Sequence, residues 1–314
     1  MSLREGAKTA LRDCMNVKEG ETVLIVTDTE KYEIGKAFFN SARSLRTESI
    51  IITMKPRETN GQEPPSSIAQ AMKTADVILA PTAKSLSHTS ARHEACANGA
   101  RVATLPGIVK EMMSDGGLKA NYPKLERKVK NLAKKLRGSK KARITSKQGT
   151  DLTFTLEGRE WQTDTGICSN SGDFTNLPGG EVFISPVSAE GKLVIDGSMS
   201  GLGLLDFPLT MEVEDGYVTN LDGFKADEME KTLDDAGKSG RNIAELGIGM
   251  NEAAKLIGVT LEDEKVAGTL HVAVGDDSTI GGDNEASIHL DGLITADPKL
   301  TVDDDPIRLP ERSS

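Results

Sequence analysis

Thr22-Val-Leu-Ile-Val-Thr27 decides how the first half of the chain is read. An unbroken apolar run of this length marks a strand buried on both faces, as in a sheet covered by helices. Working outward, the helical pattern of Ile34 to Leu45 is followed by a second strand, Ser49-Ile-Ile-Ile-Thr53. A helix from Ser66 to Thr74 leads to the strand Ala75-Asp-Val-Ile-Leu-Ala80. A helix from His88 to Asn98, stopped by Gly99, leads to Arg101-Val-Ala-Thr-Leu105. This alternation predicts an open, mostly parallel α/β sheet. No GxGxxG follows the first strand and no GxxxxGK[ST] occurs, which argues against dinucleotide and P-loop functions.

Beyond Leu105 the pattern changes. Lys124 to Arg137 reads as a helix with Leu125, Val129, Leu132 and Leu136 on one face and mostly Lys and Arg on the other. The basic face reads as solvated rather than as a lipid or nucleic-acid surface. Gly138-Ser-Lys-Lys141 reads as a linker, dividing the chain into an α/β domain, 1–141, and a β-rich α+β domain, 142–314. Short strands are expected at Arg143–Ser146, Asp151–Thr155, Gly180–Ile184, Lys192–Ile195, Leu209–Val213 and Tyr217–Asn220. Helices are expected at Asp227–Ala236 and Asn251–Leu256, and disorder after Pro306.

Composition narrows the function classes. A net charge of -10 lacks the basic face of a general nucleic-acid binder. The start of the chain has no apolar h-region, so no signal peptide is expected, and no apolar run is long enough to span a bilayer. The three cysteines, Cys14, Cys96 and Cys168, are well separated and odd in number. They predict reduced thiols in a cytoplasmic protein. No GxSxG appears, and Cys168 near Asn170 is too little for a Cys-His nucleophile.

Chemistry concentrates near the end. Two of the chain's four histidines lie in His271-Val-Ala-Val-Gly275 and His289-Leu-Asp291. Alternation along a strand puts His289 and Asp291 on one face. Imidazoles and a carboxylate on neighbouring strands predict a divalent metal site. Two more carboxylates are candidates. Glu181 follows Asn176-Leu-Pro-Gly-Gly180 at a strand mouth, and Glu245 lies among small and apolar residues in Ala244-Glu-Leu-Gly-Ile-Gly249. A buried glutamate needs a partner, and a metal is one. Asp276, Asp277 and Asp283 read as a solvated acidic turn rather than as supports for the imidazoles, and His88 reads as a residue near a helix start.

These residues resemble the aminopeptidase T family of metallo-aminopeptidases. The resemblance rests on Asn176–Phe183, Ala244–Asn251, Gly268–Gly275 and Ser287–Asp291, and on Ser85–Arg92 followed by Gly99–Gly107. It implies two divalent ions (Zn, Co or Mn) held by Glu181, Glu245, His271, His289 and Asp291. One carboxylate would bridge the ions and another would handle the proton, the catalytic parts falling to Glu181 and Glu245. It also implies a small peptide substrate, release of N-terminal residues and a homodimer. In that family a tyrosine follows the first metal-binding histidine. The matching position here is Ser278, and Asp276–Gly282 contains no tyrosine. Ring-cleaving dihydroxypyridine dioxygenases resemble the same family and bind one Fe(II) through two histidines and an aspartate. Here that set would be His271, His289 and Asp291. The two additional glutamates favour the hydrolase of these two.

Overall fold

The computed structural model describes residues 2–311. Its contacts divide into two compact units. The first comprises 1–126, 164–179 and 253–255, and the second 127–163, 180–252 and 256–314. No helix among the described residues is long and apolar enough to cross a membrane.

The first unit is built on a five-stranded sheet in the order Glu48–Met54, Thr22–Asp28, Val77–Thr82, Arg101–Pro106, Phe174–Asn176. Every adjacent pair is parallel. The expected α/β architecture is therefore present. Thr22–Asp28 is buried along nearly its whole length, whereas the edge strand Glu48–Met54 is partly exposed. Leu24, Val26, Ile78, Ala80 and Val102 pack with Ile68, Met72, Ala91 and Ala95 of the helices Ser66–Met72 and Ser90–Ala97. The latter helix starts at Thr89, whose side chain accepts from the Arg92 amide. The strand Phe174–Asn176 has no counterpart in the sequence reading; three residues are too few to show a periodicity.

Strand order reverses beside Thr22–Asp28, where α/β sheets commonly bind ligands beyond the strand ends. Here the Asp28 carboxylate fills that position. It accepts from the backbone amides of Glu30 and Lys31 at 3.0 Å each and from that of Ala83. The amides that would otherwise cradle an anion are already satisfied.

The second unit holds two antiparallel sheets. One runs Tyr217–Gly223, Leu209–Glu214, Ser188–Ile195, Asp151–Thr155, Lys141–Thr145, Lys299–Val302, Asp305–Ile307. The other runs Gly203–Leu204, Ser198–Met199, His289–Ile294, Leu270–Gly275, Ile243–Gly249, Glu181–Ile184, Gln162–Asp164. The chain is thus α/β in its first part and dominated by antiparallel β-structure in its second.

Two local expectations fail. Asn251–Leu256 is not a helix: Asn251 forms a bridge with Val266, its amide donating to Lys265 and its carbonyl accepting from Ala267. With both backbone groups used across the chain, no helical ladder starts there. The short helix in this region is Thr260–Asp263. Order also continues past Pro306, because buried Ile307 pairs with Leu300. The expected disorder of residues 312–314 lies outside the described residues.

Candidate metal centre

Four neighbouring strands of the second antiparallel sheet supply all five sequence-flagged residues: Glu181–Ile184, Ile243–Gly249, Leu270–Gly275 and His289–Ile294. Register puts them on one face. Glu181 pairs with Gly249, His271 with Gly247, Ala273 with both Glu245 and Asp291, and His289 with Gly275. Directly opposed residues of antiparallel strands point to the same side, and alternate residues along each strand share that side. A register irregularity between Ile243 and Glu245 lies just ahead of the glutamate, where such bulges re-aim a side chain.

The residues between the donors are small for a physical reason. A Cβ at Gly247 would fall 1.9 Å from His271 Nε2. Only glycine opposite His271 leaves the imidazole room to lie across the neighbouring strand.

The donors form two triads that share Glu245: Glu181, Glu245 and His271 in one, Glu245, His289 and Asp291 in the other. Within each triad the ligand atoms lie within 4.8 Å of one another. His271 Nε2 is 3.2 Å from Glu245 Oε1 and 3.4 Å from Glu181 Oε2. His289 Nε2 is 3.5 Å from Glu245 Oε2 and 3.6 Å from Asp291 Oδ1. The two oxygens of Glu245 thus face different imidazoles. Glu181, Glu245, His271 and Asp291 are buried, while the His289 side chain is 33% exposed and forms the open edge of the cluster.

His289 Nδ1–H donates to the Asp276 carbonyl at 2.6 Å, which turns Nε2 toward the cluster. The support from the acidic turn is therefore a main-chain oxygen. The Asp276 carboxylate instead accepts from the Ser278 amide and hydroxyl and the Ala286 amide. Asp277 is buried rather than solvated, accepting from the Ser185 hydroxyl and the Asn284 amide. Asp283 is an exposed partner of Arg159. Ser278 is exposed, its hydroxyl turned to Asp276.

Sequence reasoning missed Lys265 and Glu264. Lys265 is only 1% exposed, and its ammonium pairs with Glu181 Oε1 and, at 2.7 Å, with Glu264 Oε1. In Glu262-Asp263-Glu264-Lys265 no periodicity marks the last residue as buried.

Electrostatics reflect this crowding. Burial pulls the His271 imidazole down, but the carboxylates of Glu181 and Glu245 beside it outweigh that and push it up to about 10. Against the same burial penalty, Asp291 and Glu245 raise His289 well above its ordinary value. Burial raises the Glu245 carboxyl, yet His271 and His289 hold it well below the usual carboxylate range. Glu264 is pushed up to about 8, chiefly by burial; Lys265 opposes the rise, while Glu181 and Asp291 add to it. The cluster is a set of carboxylates held together by positive charge.

A divalent cation fits this donor set. Oxygen and imidazole donors suit Fe, Mn, Co and Zn. Glu181 Oε2 is buried and makes no hydrogen bond, so it has acceptor capacity directed into the cluster. The other histidines and the cysteines belong to the first unit. His88 and His93 are exposed, with His93 3.0 Å from Arg92. Burial pushes the Cys168 thiol up to about 12 and the Cys14 thiol well above its usual value, the opposite of an activated nucleophile.

Fold and site together define an α/β protein with a carboxylate- and imidazole-lined candidate metal centre on an antiparallel sheet. Over residues 3–308 the chain matches the family model NicX, described as 2,5-dihydroxypyridine 5,6-dioxygenase, and it belongs to that family. The solved 2,5-dihydroxypyridine dioxygenase of Pseudomonas putida KT2440 is similar, with a TM-score of 0.83 at 18% identity over 98% of this chain and 95% of that one. AmpT from Thermus thermophilus is similar with a TM-score of 0.71 at 18% identity, over 99% and 98% of the two chains. At this identity the two structures show a shared fold. No curated protein sequence matches the chain.

Proposed function

We propose that this protein is a ring-cleaving dioxygenase acting on a dihydroxylated pyridine or a related dihydroxylated nitrogen heterocycle. Membership of the dioxygenase family along nearly the whole chain carries this reading. It reverses the preference for the peptidase drawn from the glutamates alone. A ferrous ion, when bound, supplies the redox chemistry with dioxygen.

The chain's own residues do the rest. His271, His289 and Asp291 would hold the ion, with Glu245 between the imidazoles. Asp276 fixes the orientation of His289 through its carbonyl. The buried side of the cluster excludes water, and the exposed edge at His289 is where a substrate hydroxyl would arrive.

A test is anaerobic loading with Fe(II), addition of 2,5-dihydroxypyridine, and exposure to oxygen. Oxygen uptake equal to substrate loss is the expected result. No uptake with this compound or a panel of dihydroxylated heterocycles would sink the reading.

One observation favours a second reading, a two-metal aminopeptidase. The oxygens of Glu245 face different imidazoles, as a bridging carboxylate would. Release of N-terminal residues from a peptide panel by Zn-, Co- or Mn-loaded protein would support it, and Ser278 in place of tyrosine counts against it.

A further inference from the structure

We propose that Lys265 limits the centre to a single metal ion by occupying Glu181 with its ammonium. The inference rests on the dioxygenase reading, which calls for one ion. It concerns a residue that neither the family match nor the sequence motifs assign.

The five flagged donors offer two triads, enough on their face for two ions. The triads are not equivalent. Glu181 belongs only to the first, and its Oε1 is paired with the Lys265 ammonium. That ammonium is buried, and Glu264 holds it from a second direction at 2.7 Å. The main chain that carries it is anchored as well: its backbone amide donates to the Glu262 carbonyl, and its own carbonyl accepts from the Asn251 amide. An ion bound through Glu181 would share one carboxylate with a fixed buried cation, and like charges at such separations repel strongly where water is excluded. Glu181 therefore already has its cation, and the ion goes to the donors that remain, His271, His289 and Asp291, with Glu245 between the imidazoles. Lys265 is a positioning residue: it acts on the centre through Glu181.

The test is the metal content of the full chain, stripped with chelator and titrated with Mn(II), and with Fe(II) under anaerobic conditions. The wild type should take one ion per chain, with the Mn(II) resonance of an isolated ion. K265M should take two, with the broadened resonance of a coupled pair. K265R, which keeps the charge, should return to one. E181Q should still take one ion rather than none, because His271, His289 and Asp291 remain to hold it.

Two ions in the wild type, one ion in a K265M protein folded like wild type, or loss of the ion in E181Q would each overturn the proposal. If K265M does not fold, the wild-type count and E181Q still decide it. The two readings fail separately. One ion with no ring cleavage removes the dioxygenase and leaves the role of Lys265 standing, whereas two ions in the wild type removes that role whatever the oxygen assay shows.

Discussion

Asp28 and Glu245 are both buried carboxylates on strands, and they do opposite things. Asp28, at the end of the parallel strand Thr22–Asp28, is satisfied by three backbone amides, which are neutral, immobile and part of the fold. Glu245, on the antiparallel sheet, is satisfied by two imidazoles, which can exchange a proton for a metal ion. A carboxylate saturated by main chain closes a ligand site. One held by titratable side chains keeps a site open. The contrast explains why the sheet that looks ready for a nucleotide carries no such signature, while the chemistry sits on the other sheet.

Substitutions can break or sharpen this contrast. The largest effect is expected from E245A, which leaves two imidazoles without their shared carboxylate. Breaking a buried pair of this kind costs about 3–5 kcal/mol, so metal affinity measured by calorimetric titration should fall at least a hundredfold. Next comes G247A, whose added methyl would overlap His271 Nε2. Overpacking costs about 1–3 kcal/mol, and the displaced imidazole should weaken metal binding about 10- to 100-fold while the fold persists. A G247A protein with unchanged metal affinity would show that His271 takes no part in the centre.

D28A should do the reverse. It strands amides that have lost a charged acceptor, costing about 1–3 kcal/mol in denaturant unfolding, with metal affinity unchanged. The smallest effect is expected from S278A. The hydroxyl bonds Asp276 at the exposed turn rather than any donor of the cluster, so metal affinity should stay within about twofold of wild type. A large loss there would bring the loop into the centre.

Much of the site was legible because a strand's period of two is visible in a few letters. His289 and Asp291 two apart, and His271 ahead of three small apolar residues, were enough to place three donors on strands. Glu181 and Glu245 were conspicuous as carboxylates among glycines and aliphatics. The alternating first half was legible for the same kind of reason, since strand runs and helical runs differ in period. Lys265 was not legible. Its burial depends on the bridge between Asn251 and Val266, a contact made across a loop, and the same bridge removed the helix expected over Asn251–Leu256. The strand Phe174–Asn176 escaped because it is defined by its neighbour, Arg101–Pro106, rather than by its own pattern.

By itself, then, the sequence determined the alternation of elements, the identities of the donors and the absence of nucleotide signatures, because these are properties of residue type and local period. Tertiary structure decided which candidate donors lie together, that Glu245 lies between two imidazoles, and that a buried ammonium pairs with Glu181. Those outcomes depend on strand register and on side chains from distant segments meeting where water is excluded, and charge pairing in such a place is set by position rather than by composition.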